Sequence, residues 1–242
     1  TASTHLVLRC TNPHTRELAA KTMINLSRFI EGTPAELLNN NVMQCIRALS
    51  QYDESGHLQF CAAALENLSC LQAARPILAS AGAIQIIKQL MHGSNSNTII
   101  SSCSVALCNM ALLKSCQKEM VQLGVIEVLG QMLLRGTDHT KLMCVVCLAN
   151  LSTHKELRQS IETRGGPQIL FNFIQVCHME ESLKICGRVF FNFAHDGQTR
   201  NSMVREGDRG GNGIDALVTL LRFQGPPPRT LEEDEPENAP VP

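Results

Sequence analysis

Cys144 and Cys147 carry the C-x-x-C spacing that elsewhere holds zinc or runs thiol–disulfide exchange. Zinc needs two further ligands, and no second pair at ligand spacing accompanies them. A redox pair needs the electropositive N-terminal end of a helix to lower a thiol pKa, whereas KLMCVVCLANLS reads as a helix interior with both sulfurs turned inward. The eight histidines (His5, His14, His57, His92, His139, His154, His178 and His195) fall mostly in turns or at helix ends. No i, i+4 pair among them is joined by a third ligand, so surface positions are expected. The loop EGDRGGNG, residues 206–213, has the glycines of a phosphate cradle. It lacks the preceding strand and the Gly-Lys-Ser/Thr ending, which leaves a flexible inter-helix loop. No catalytic, cofactor-binding or metal-binding residues are assigned, and an enzyme is not expected.

Amides are the remaining chemistry. Asn25, Asn67, Asn109, Asn150 and Asn192 recur at intervals of 42, 42, 41 and 42 residues, in the phrases KTMINLS, AAALENLS, SVALCNMA, VVCLANLS and GRVFFNFA. An amide side chain offers one carbonyl acceptor and two N–H donors, enough to pair with both groups of a peptide unit. Near a helix end it can instead satisfy last-turn carbonyls or a neighbouring repeat. The triplets Asn25-Leu26-Ser27, Asn67-Leu68-Ser69 and Asn150-Leu151-Ser152 match the glycosylation sequon as an accident of the repeat.

Four of the eleven cysteines, Cys61, Cys103, Cys144 and Cys186, stand six residues before a ladder asparagine, where the first unit has Ala19. They are one small core position repeated. Equivalent helices of stacked repeats lie roughly 8–10 Å apart, and a disulfide needs Cα atoms within about 7 Å. Free thiols in a reducing compartment, and hence a cytoplasmic setting, are expected.

The elements that must position these residues follow from the period. A repeat near 42 residues with three helices per unit is the signature of an α-solenoid. Residues 1–9 read as the end of one unit's second helix, so upstream repeats are expected before Thr1. Asn12-Pro13 breaks that helix, and a third helix follows over about 14–28. The next unit has helices at 33–39 and 42–51, a turn at Asp53-Glu54-Ser55-Gly56, and a third helix ending at Asn67-Leu68-Ser69. Two further units repeat the plan, with Gly82 and Gly124 ending their first helices in the left-handed conformation. Gly165 takes the same place in the fifth unit, and Pro167 opens its second helix. The sixth unit carries an insertion, Asp208 to Asn212, before the helix IDALVTLLRF. Residues 1–225 thus form one solenoid with a partial first repeat, four full repeats and a partial last repeat. Residues 226–242, PPPRTLEEDEPENAPVP, form a Pro-rich acidic tail expected to be extended or disordered.

Helical geometry sorts each third helix into two faces. Positions six before, two before and one after the asparagine form an i, i+4, i+7 stripe facing the core. The asparagine and the residues four and eight before it face away. With the glycine-capped first helix, the IxxLxxLL second helix and the AxxALxNLA third helix, residues 1–223 resemble the armadillo repeat family, which includes the catenins and the importin-alpha adaptors. The resemblance implies an all-α, right-handed solenoid whose third helices line a concave groove, with asparagines that bond the backbone of an extended partner peptide. Asn25, Asn67, Asn109, Asn150 and Asn192 become groove residues by that resemblance. Import adaptors carry tryptophan four residues before each asparagine. Here the position holds Lys21, Ala63, Val105, Val146 and Arg188, and the chain contains no tryptophan. Lysine-rich peptides would therefore lack cation–π walls, and a nuclear import role is a distant alternative.

One turn earlier stand Glu17, Gln59, Ser101, Leu142 and Lys184. The groove is expected to have an apolar middle (Ala63, Val105, Leu142, Val146) between basic ends (Lys21 with Arg28, Lys184 with Arg188). The partner expected is an extended or helical protein segment with an apolar centre and acidic flanks. The acidic tail is a candidate for docking within the chain. That tail carries five acids and one base, so the other residues hold 20 of 21 basic and 17 of 22 acidic side chains, a balance of +3. This is too weak for general nucleic-acid affinity. No stretch reaches the ~18 consecutive apolar residues of a transmembrane helix. The function expected is a non-catalytic adaptor or scaffold. The alternative is a structural subunit of a cytoskeletal or ciliary assembly.

Overall fold

A computed structural model describes residues 12–28, 41–52, 55–204 and 213–223. The expected helix at 33–39, the insertion 208–212, the tail 226–242 and the side chain of Arg28 lie outside the described residues, as does Asp53-Glu54 of the first turn.

The element order is helical throughout the described residues: α1 (Pro13–Arg28), α2 (Asn41–Leu49), α3 (Ser55–Cys70), a 3-10 turn (Gln72–Ala74), α4 (Arg75–Ser80), α5 (Ala83–Gly93), α6 (Asn97–Ala111), α7 (Lys114–Gln122), α8 (Val125–Arg135), α9 (Asp138–Ser152), α10 (Lys155–Thr163), α11 (Gly166–Val176), α12 (Glu180–Ala194), α13 (Gly197–Val204) and α14 (Gly213–Arg222). From α4 to α12 each unit runs short first helix, second helix, long third helix. The hinge between first and second helices is made by Gly82, Gly124 and Gly165, at φ of 85°, 86° and 82°. A side chain at such φ crowds the following carbonyl, so glycine makes the sharp reversal without that strain.

The third helices α1, α3, α6, α9 and α12 stack on one another and form the most extensive packing in the molecule. Their inward stripe is as expected. Cys61, Leu65 and Leu68 are buried, and so are Cys103, Leu107 and Met110, then Cys144, Leu148 and Leu151, then Cys186, Phe190 and Phe193. The second helices supply the other wall, and Phe171 of α11 stacks on Phe190 of α12 with ring centroids 5.2 Å apart.

Side chains on one unit cap backbone on the next. The last-turn carbonyls of the third helices accept from the following first helix: Arg75 Nε donates to Ser69 O at 2.9 Å, Gln117 Nε2 to Ala111 O at 2.7 Å, and Arg158 Nε to Ser152 O at 2.8 Å. On the second helices, Arg47 donates to Ala81 O at 2.7 Å and Lys88 to Leu123 O at 3.3 Å, each reaching the next unit's hinge. The next equivalent position is Gly130. There the direction reverses: Arg164 reaches back to Gln122 O at 3.2 Å and to Glu127 at 3.0 Å. A Cβ on Gly130 would stand 3.0 Å from Ile169 Cδ1, so the bare backbone is where Ile169 packs.

One histidine departs from expectation. His57 is 1 % exposed, not a surface residue. It opens α3 against the end of the preceding turn, with Nε2 3.1 Å from Tyr52 O and its ring edge-on to Tyr52, so one polar atom is satisfied while the ring is buried.

Candidate functional site

The ladder asparagines occupy the last two turns of the third helices, one residue before the end of the buried stripe. Asn25 is exposed, and Asn67, Asn109, Asn150 and Asn192 are half-buried. They face away from the core, yet the amides of Asn67, Asn109 and Asn192 are directed along the stack toward the preceding unit. Asn67 Nδ2 donates to Ser27 Oγ at 3.0 Å, Asn109 Nδ2 to Ser69 Oγ at 3.0 Å, and Asn192 Nδ2 to Ser152 Oγ at 2.9 Å. Each serine passes the bond on to its own helix: Ser27 to Ile24 O at 2.7 Å, Ser69 to Glu66 O at 2.7 Å, and Ser152 to Ala149 O at 2.8 Å.

The motif N-L-S is therefore a rung. Its asparagine donates backward and its serine accepts from the unit ahead. The sequence reading treated the serines as incidental, although their fixed place two residues after the asparagine was a visible signal. The rung breaks once. Asn109 is followed by Met110-Ala111, and Asn150, whose partner would stand at Ala111, has a buried Nδ2 with no hydrogen-bond partner. A buried amide N–H in that state costs its desolvation without return.

Around the asparagines, the middle of the face carries apolar side chains. Ala63, Val105, Leu142 and Val146 are half-buried on α3, α6 and α9. The ends are less cationic than composition suggests. Lys21 bonds Glu17 at 2.7 Å and Lys184 bonds Glu180 at 2.6 Å, both one helical turn apart. Lys21 holds Glu17 below the usual carboxylate range, first through that hydrogen bond and then by its charge. Arg188, on the next turn of α12, is exposed. Glu180 was missed from sequence because the expected face counted only three positions per helix, and it lies twelve residues before Asn192.

Cys144 and Cys147 are both fully buried, and burial pushes both thiols up, away from the thiolate that redox or metal chemistry requires. Cys61 is pushed up to about 12 by the same cause. No disulfide joins the described cysteines, and no group of His, Cys, Asp and Glu among the described residues is arranged to hold a metal ion. Away from the ladder, a cleft of about 530 Å³ lies between α7 and α10, with Val121 and Leu157 beneath Lys114, Lys118 and His154. No described helix is long and apolar enough to cross a membrane.

This stack of three-helix units, glycine-hinged and joined through its third helices, is an α-solenoid with an armadillo-like repeat fold. Solved structures agree. The chain aligns with a computationally designed armadillo repeat protein for modular peptide recognition at TM-score 0.72 and 16 % identity, over 88 % of this chain and 87 % of that one. A second designed armadillo repeat protein aligns at TM-score 0.66 and 15 % identity, over 89 % and 96 %. A third, solved in complex with the peptide (KR)4, aligns at TM-score 0.67 and 14 % identity, over 92 % and 100 %. No family model and no curated protein matches the chain in sequence.

Proposed function

We propose that this chain is a non-catalytic interaction scaffold that holds a segment of another protein along the face of its third helices. The observation that carries this reading is the pre-set amide ladder. One N–H of Asn67, Asn109 and Asn192 is tied to the preceding unit's serine, and Asn109 Nδ2 also donates to Cys70 Sγ at 3.7 Å, which fixes each amide while leaving its carbonyl oxygen to meet a backbone. Fixing those side chains beforehand lowers the entropy lost on binding. Designed proteins of the same fold support the reading: one was made for modular peptide recognition, and another was solved in complex with the peptide (KR)4.

A lysine- and arginine-rich segment does not suit this face, which has no tryptophan and an apolar middle at Val105, Leu142 and Val146. The partner proposed is an extended or helical segment with an apolar centre, its acidic flank best placed near Arg188. At Lys21 and Lys184 an incoming acid must displace Glu17 or Glu180. A cytoplasmic setting accords with buried, reduced cysteines.

The test is affinity capture with an Asn67→Ala, Asn109→Ala variant, with circular dichroism confirming that the helices persist. Losing two amide contacts at about 1 kcal/mol each should weaken the groove-bound partner roughly 10- to 100-fold. Undiminished capture by a helical variant would place the contacts on loops or the convex side, as a structural subunit of a larger assembly would have them.

A further inference from the structure

The inner junctions between units are all tied on the second-helix side. Across the junction between α3 and α6, Arg47 bonds Ala81 O at 2.7 Å and Ser50 bonds Gln89 of α5 at 3.3 Å. The junction between α6 and α9 has Lys88 on Leu123 O at 3.3 Å, and Arg135 on Asn95 Oδ1 at 2.9 Å and on Met91 O at 3.4 Å. The junction between α9 and α12 has Arg164 on Glu127 and on Gln122 O, at 3.0 and 3.2 Å. On the third-helix side the ties are the amide–serine rungs, and there the middle junction differs. Asn109 holds Ser69 and Asn192 holds Ser152, whereas the position in register with Asn150 is Ala111. The adjoining cap is also thinner. Arg75 bonds both Ser69 O and Cys70 O, and Arg158 bonds both Ser152 O and Thr153 O, while the shorter Gln117 bonds Ala111 O alone. Asn150 Nδ2 and Gln117 Oε1 are both buried without a hydrogen-bond partner among the described residues, and both belong to this junction. The side-chain bond that does cross from α9 to α6 comes from a weak donor, Cys147 Sγ to Leu107 O at 3.6 Å.

We infer that the α6–α9 junction is a joint in this solenoid, opening on the third-helix side while the tied second helices serve as its axis. Two polar atoms that are buried and unpaired in the closed junction gain water when it opens, which offsets part of the cost of parting the helices. At the flanking junctions the same motion breaks a rung already made. Leu107, Met110 and Leu148, all buried, favour closing again, so the motion is a local excursion of lower free energy than unfolding the array. It changes the spacing of the ladder between Asn109 and Asn150 and leaves the other spacings alone. The joint needs no partner, so it holds or fails independently of the function proposed above.

The chain carries its own probes. Cys144 and Cys147 are raised in pKa first by burial and then by Cys108 of α6, and Cys103 first by burial and then by Cys61 of α3, so each thiol stands at its own junction. All of them are closed to reagent in the folded stack. Native-state labelling of the full 242-residue chain with iodoacetamide, read site by site by mass spectrometry, should modify Cys144 and Cys147 about 10-fold faster than Cys61 and Cys103, the effect of about one hydrogen bond. Ala111→Ser with Gln117→Arg supplies the missing acceptor and the second cap bond. It should slow Cys144 and Cys147 to the rate of Cys103 and leave Cys61 and Cys103 unchanged, and Ala111→Ser alone should slow them part of the way. Equal labelling of the four thiols in the parent overturns the inference. So does Ala111→Ser without effect on Cys144 and Cys147, or a variant that slows all four alike, since labelling would then follow unfolding of the whole array.

Discussion

Ser152 accepts from Asn192 of the next unit and donates to Ala149 of its own helix, so one hydroxyl joins two repeats. Removing it isolates a donor. Ser152→Ala should destabilise the chain by about 1–3 kcal/mol, because Asn192 Nδ2 would lose its acceptor beneath the ladder. Ala111→Ser is the converse. It supplies the acceptor that Asn150 lacks and should stabilise by about 0.5–1.5 kcal/mol, with the new hydroxyl donating to Cys108 O as the other serines donate three residues back. Urea unfolding of the two variants checks both signs. Equal and opposite shifts are not expected, since an orphaned group costs more than a made bond returns. If Ala111→Ser instead lowers stability, the rung is not transferable between units.

At the scale of elements, the glycine hinges are the clearest case of backbone conformation written in sequence. Gly165 stands at φ 82°, and a Cβ there would meet nothing within 4 Å. Gly165→Ala therefore reports conformational strain alone and should cost about 1–2 kcal/mol by thermal or chemical melt. Gly82 differs, because a Cβ there would run into the guanidinium of Arg47, which crosses from the preceding unit. Helix boundaries were legible to within a few residues, since glycine, proline and apolar periodicity are all local. The inter-unit caps were not. Arg75, Gln117 and Arg158 stand at the same place in successive units, but their types differ and only the stack shows that all three close the end of a third helix. His57 was misread for the same reason, as its burial depends on Tyr52 and the packing of α3.

At the scale of the molecule, each unit touches mainly its neighbours, so stability should behave as a chain of local couplings. Leu148, 2 % exposed at the centre of the stack, tests this. Leu148→Ala should cost about 2–5 kcal/mol by opening a cavity between α9 and its neighbours. Hydrogen exchange should then rise in α9 first and reach α1 last, whereas a uniform rise would mean that the array unfolds as a single block.

Sequence alone determined the period, the three-helix unit, the glycine hinges and the inward stripe, because helix geometry and hydrophobic burial act over a few residues and repeat with them. It also marked the five asparagines and their apolar neighbours. Tertiary structure decided where those amides point. Neighbouring third helices lie close enough for an asparagine to bond a serine 40 residues earlier, a distance along the chain over which no local rule operates. It also decided that Asn150 stands without its acceptor, since that partner belongs to the neighbouring unit and not to the helix that carries the residue.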